Sequence, residues 1–129
     1  MKLGALLFRI TTIVVFLQLL LGGLLTFDFI NAGAHILAGL IIFILSVATM
    51  IVSLVSKPKS RPLQMTSVAL VTLVIVQIIL GFDTLDTGSQ VIALIHFVNA
   101  MAIYGVAMSG TFVASRWVQA TKVRPTETS

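Results

Sequence analysis

Four stretches of this chain carry no charge at all: residues 10–27, 29–56, 63–82 and 87–115. Each reaches the roughly 18–20 residues that an α-helix needs to cross a hydrocarbon layer about 30 Å thick. In a chain of 129 residues, almost nothing is left for a water-soluble domain. Composition agrees: 58% of the residues are hydrophobic and only 9% are charged, far from the balance of a soluble globular domain. Backbone N–H and C=O groups find no water in lipid, so segments of this kind must satisfy themselves as helices. The pattern predicts an all-α membrane protein, a four-transmembrane-helix bundle with helices near 4–27, 31–55, 63–82 and 88–116. Residues 1–116 then form one transmembrane domain. Residues 117–129 form a polar tail, ending "TKVRPTETS", too hydrophilic to bury a core.

The charges sort by side. Lys2 and Arg9 precede the first span, Lys57, Lys59 and Arg61 fill the middle link, and Arg116, Lys122 and Arg124 follow the fourth span. Asp28, Asp83 and Asp86 fall in the other two links. With four crossings, all eight basic residues share one face of the membrane. This is the positive-inside pattern, with N and C termini cytoplasmic in a multi-pass protein of the cell membrane. Topology and contact with anionic lipid account for the net charge of +4, and no nucleic-acid partner is expected. A signal peptide ending at Ala32-Gly33-Ala34 would leave three spans, but the apolar stretch before it exceeds the usual h-region of about 7–15 residues. The absence of cysteine removes disulfides, thiolate metal sites and iron–sulfur clusters.

The spans repeat. "QLLLGG" begins at Gln18 and "QIILGF" at Gln77; each places a glutamine four residues before a glycine and then runs into an aspartate. The second and fourth spans hold the only two histidines, His35 and His96. Four residues beyond each lies a small residue, Gly39 or Ala100, and eight beyond lies an aromatic, Phe43 or Tyr104. The chain reads as two repeated helical hairpins, offset by 59 residues from Gln18 to Gln77 and by 61 from His35 to His96. Internal symmetry of this kind often places a site between the repeats. At 1.5 Å per residue, His35 lies roughly 6 Å and His96 roughly 12 Å inside the outer ends of their spans, with the glutamines at roughly 9–14 Å. Within boundary error, the four polar side chains share one layer in the outer half of the membrane.

A polar side chain in hydrocarbon must face the bundle interior and find a partner. Hydrogen bonding between spans is one use of such residues, and suffices for Gln18 or Gln77 taken alone. Two level histidines suggest more, because neutral imidazole is a common haem ligand and helix bundles hold cofactors on inward-facing side chains. His35 and His96 are the candidate iron ligands. Ala38, Gly39, Asn99 and Ala100, at the i+3 and i+4 positions, leave room for a flat macrocycle, and Phe43 and Tyr104 on the next turn are candidates to cover its faces. A closed zinc site needs about four ligands, and the spans offer no carboxylate or thiol. The propionates of a haem would point outward, toward the helix N-termini and Asn31, Thr84, Thr87, Ser89 and Gln90.

The segments "LQLLLGGLLT…AHILAGLIIFIL" and "VQIILGFDTLDTG…ALIHFVNAMAIYGVAM" resemble the four-helix unit of the haem A synthase (cytochrome oxidase assembly) family. The resemblance covers about residues 3–116 and one unit, where that family's usual chain has two. It implies that His35 and His96 are an axial pair; the spacing adds Gln18, Gln77, Gly39, Asn99 and Ala100 as candidate residues around the cofactor. The family's catalytic half also carries a glutamate three residues before a histidine and an arginine directly after it. Here Ala32 and Ile36 hold those places around His35, and Ala93 and Phe97 hold them around His96. The loop cysteines of many members are absent as well. The reading is a half-size membrane cytochrome with one b-type haem, in haem handling for oxidase assembly or in electron transfer beside a respiratory complex. Two alternatives stand beside it: an active haem A synthase assembled as a homo-oligomer, and a haem-free structural subunit of a membrane complex.

Overall fold

The computed structural model describes residues 2–57 and 59–123, with side chains to residue 120. Four helices account for nearly all of them: α1 (Lys2–Thr26), α2 (Ala32–Val55), α3 (Arg61–Thr87) and α4 (Gln90–Val123). All four are long and apolar enough to cross a membrane. Their ends follow local chemistry. Asn31 N-caps α2, its side chain accepting from the Ala34 N–H at 3.2 Å. Pro62 sits in the first turn of α3, where its missing N–H costs no helical bond. Gly88, at φ 63°, closes α3 in the left-handed conformation that glycine adopts without penalty.

Two boundaries differ from the sequence expectation. Helix α3 continues past residue 82 to Thr87, so Asp83 and Asp86 ride on its last turns rather than in a link. The hydroxyls of Thr84 and Thr87 bond back to the carbonyls of Leu80 and Asp83, and the helix stops only at the glycine. Helix α4 likewise runs past Arg116 to Val123, taking in the first part of the segment expected as a polar tail. The rest of that tail, residues 124–129, lies outside the described residues.

Each helix packs against two neighbours, in the ring α1–α2–α3–α4–α1, and the diagonal pairs do not pack on one another. The first and last helices close the ring. Arg9 donates to Ser115 Oγ at 3.2 Å, and the hydroxyls of Thr12 and Thr111 lie 3.0 Å apart. The start of α1 therefore lies beside the latter part of α4, and the basic residues at positions 2, 9, 57, 59, 61 and 116 gather at one end of the bundle.

The outside is apolar and much of the inside is not. Ile44, Ile79 and Leu94 are 66%, 63% and 62% exposed, whereas Thr11, Ser46, Thr49, Ser53 and Ser67 are buried. A soluble protein would invert this, and a lipid-embedded bundle requires it. Three of the buried hydroxyls bond within their own helix: Thr49 donates to Leu45 O at 2.7 Å, Ser53 to Thr49 O at 2.8 Å, and Ser67 to Gln64 O at 2.8 Å. Such small polar residues let helices approach closely.

Buried positions alternate by four and three residues: Phe8, Thr11 and Val15 on α1; Ile42, Ser46, Thr49 and Ser53 on α2; Leu63, Ser67, Leu70 and Val74 on α3; Ile103, Ala107, Gly110 and Ala114 on α4. This is the stripe of interlocking coiled-coil-like packing. It fills only the half of the bundle toward the basic end. The tightest point is the Phe8 ring, fully buried against Gly110, where a β-carbon would overlap the ring. Gly110→Ala is thus expected to destabilise the bundle by about 1–3 kcal/mol, lowering the thermal midpoint in detergent, while Gly105→Ala, facing open space, leaves it unchanged.

Candidate functional site

Followed toward the acidic end, the same stripes change character. Beyond Val15 come Gln18 and Gly22; beyond Ile42 come Gly39, His35 and Ala32; beyond Val74 come Gln77 and Gly81; beyond Ile103 come Ala100, His96 and Ala93. Glycine and alanine recur on these stripes, with no counterpart here to the Phe8 and Leu70 side chains that fill the other half. The result is a cavity of about 540 Å³ among all four helices, lined by every one of these residues. That volume lies within the range of cofactor and small-molecule sites, roughly 300–1,000 Å³.

His35 and His96 come from diagonally opposite helices and meet across the cavity, ring centres 6.2 Å apart and planes inclined by 58°. Each ring is held within its own hairpin. Gln18 Nε2 lies 3.3 Å from His35 Nε2 and also donates to the His35 carbonyl at 2.8 Å. Gln77 Nε2 lies 3.1 Å from His96 Nε2. A glutamine amide nitrogen only donates, so both Nε2 atoms accept and both protons sit on Nδ1. Gly22 and Gly81 complete the two seats. A β-carbon on either would come within 3.3 Å or 3.1 Å of the neighbouring histidine Cε1. The glutamine-x3-glycine motif thus supplies one hydrogen bond and one flat surface to a histidine on the next helix. Neither Nδ1 has a hydrogen-bond partner, although both atoms are buried.

Lining residues fall into pairs at the two sequence offsets. Val15 and Val74, Gln18 and Gln77, and Gly22 and Gly81 are 59 apart; Ala32 and Ala93, His35 and His96, Gly39 and Ala100, and Ile42 and Ile103 are 61 apart. One difference breaks the match. Asn99 does not line the cavity; it stands behind Gln77, donating to Gln77 Oε1 at 2.7 Å and to Leu73 O at 3.0 Å. At the matching position α2 has Ala38, and Gln18 Oε1 is buried without a partner. Ala38→Asn is therefore expected to supply that bond, reaching Gln18 Oε1 and Val14 O, and to raise stability by about 0.5–1 kcal/mol. Thermal unfolding of the ligand-free protein measures this, and Gln18→Leu in the same background should erase the gain.

Of the residues expected at the site, His35, His96, Gln18, Gln77, Gly39 and Ala100 line one cavity, and Asn99 stands behind Gln77. The aromatics differ from expectation. Phe43 and Tyr104 pack on the core of the other half, Tyr104 with its ring 6.0 Å from that of Phe16, while Phe27, Phe82 and Phe97 line the cavity. Eight residues is just over two turns inward, which carries the side chain past the cavity floor. The polar residues of the outer rim are engaged in their own helices: Asn31 caps α2, Ser89 Oγ accepts from Ile92 N at 3.4 Å, and Thr87 Oγ1 accepts from Ser89 N at 3.2 Å. Only Thr84 among them lines the cavity. Gly22 and Gly81 are wall residues that the motif itself signalled, four residues after each glutamine.

Among the described residues, no three His, Cys, Asp or Glu side chains cluster in a metal-holding group. No family model, curated protein or solved structure matches this chain. Its chemistry rests on its own residues.

Proposed function

We propose that the chain is a membrane haem protein in which His35 and His96 hold one b-type haem as axial ligands. The observation that carries this reading is the meeting of two half-buried imidazoles from diagonal helices over a cavity lined in part by glycine and alanine. The two ring centres lie 6.2 Å apart, and His35 and His96 would hold the haem through their ring nitrogens. The room beside Gly39 and Ala100 is further support. To ligate through Nε2, each histidine must release its glutamine, which stays on the wall as a donor.

A bound haem supplies one-electron chemistry at a potential set by its ligands and its burial. The chain's own residues orient the two rings, exclude water on the lipid side and leave no free carboxylate at the reacting face. The four positions that differ from the haem A synthase pattern, Ala32, Ile36, Ala93 and Phe97, all line the cavity. That favours haem handling or electron transfer with respiratory-complex subunits over oxidation of the macrocycle, for which no wall residue besides the two histidines offers an acid or base. In this reading both termini are cytoplasmic, by the segregation of the basic residues, and the site faces the outer side of the cell membrane.

One observation favours a second reading, a haem-free structural subunit: each Nε2 is already hydrogen-bonded within its hairpin. Spectroscopy separates the two. Protein made with ample haem should purify with one haem per chain and a low-spin absorption spectrum. Folded protein that stays colourless and takes up no added haem would overturn the haem reading and support the structural one.

A further inference from the structure

At the far end of the bundle from the histidines, α1 and α4 part around a second hollow of about 310 Å³, bordered by Lys2, Leu6, Arg9, Ser115, Val118 and Gln119. Lys2 and Arg9 are two turns apart on one face of α1, separated by about 10 Å along the axis. Ser115 Oγ accepts one guanidinium N–H of Arg9 at 3.2 Å and aims the group along the hollow. The guanidinium has further donors to offer. Asp28, Asp83 and Asp86 all lie toward the opposite end, so among the described residues no carboxylate stands beside these cations. Arg9 also directly precedes an uncharged stretch that begins at residue 10, which sets its guanidinium at the boundary between hydrocarbon and headgroups.

We propose that this hollow binds the phosphodiester of an anionic phospholipid from the leaflet at the basic end. Arg9 and Lys2 meet the phosphate charge, Ser115 and Gln119 supply neutral hydrogen bonds, and Leu6 and Val118 border an acyl chain. A phosphate ion from solution would make the same polar contacts but would gain nothing from the apolar border or from the depth of Arg9.

Native mass spectrometry of the full chain, released from nanodiscs of mixed phosphatidylglycerol and phosphatidylcholine, tests the proposal. The wild type should retain phosphatidylglycerol in preference. Arg9→Gln should lower that retention by about five-fold, Arg9→Lys should preserve most of it, and Lys59→Gln, in the α2–α3 link, should leave it unchanged. Equal loss in Arg9→Gln and Lys59→Gln would reduce the effect to general surface charge and overturn the site. Equal retention of phosphatidylcholine would do the same. Displacement of the lipid by millimolar inorganic phosphate would overturn the lipid as its source.

Discussion

His96→Ala, and equally His35→Ala, should purify with haem retention reduced at least about 100-fold, since even partners of metal ligands cost about 10–100-fold when lost. Any haem that remains should be high-spin, because one axial position has opened. The matching of the two histidines makes the prediction strict: their rings face each other across the cavity, each seated on a glycine and held by a glutamine. Loss of either should have the same effect. Two single variants that both kept an unchanged low-spin spectrum would show that the ligands lie elsewhere. Gln18→Leu should matter much less, since its Nε2 bond is one that ligation must break in any case.

The second large effect has opposite signs in two measurements. Ala93→Leu combined with Ala100→Leu fills the cavity from α4, on the turns flanking His96. The added methylenes should bury against Ile36 and Ile103, stabilising the ligand-free bundle by roughly 1–2 kcal/mol, because a cavity of about 540 Å³ accepts them without overpacking. Haem uptake should be abolished in the same protein, with both histidines still present. Thermal unfolding and absorption spectra on one sample check both halves. Unchanged haem uptake alongside raised stability would mean that this cavity is not the binding site.

The number of helices and the level of the histidines were legible because charge and periodicity record them directly. An uncharged run long enough to cross lipid has one viable backbone, and 1.5 Å per residue converts position into depth. Helix ends were less legible because a charge bounds an uncharged run without ending a helix. Asp83 and Arg116 close two uncharged runs, whereas Gly88 marks where α3 ends, and α4 runs on past Arg116. The cavity could not be read from one span at a time. Gly22, Ala32, Gly81 and Ala93 are ordinary small residues until α1 to α4 are arranged in a ring, when all four prove to fall on the continuation of the packed stripes. Asn99 and Ala38 carry a subtler message: the two hairpins match in their histidines but not in what stands behind their glutamines.

Because α1 packs beside α4 as well as beside α2, the ring of helices has no first member. The link at residues 56–60 and the seam between α1 and α4 are equivalent places to interrupt it: one carries a covalent join, the other the Arg9–Ser115 and Thr12–Thr111 contacts and the Phe8–Gly110 fit. A circularly permuted chain, opened between α2 and α3 and joined from α4 to α1, retains every helix neighbour and both histidine seats. Cut at that link without the new join, the protein becomes two separable halves, each with a complete glutamine–histidine–glycine set and two sticky flanks.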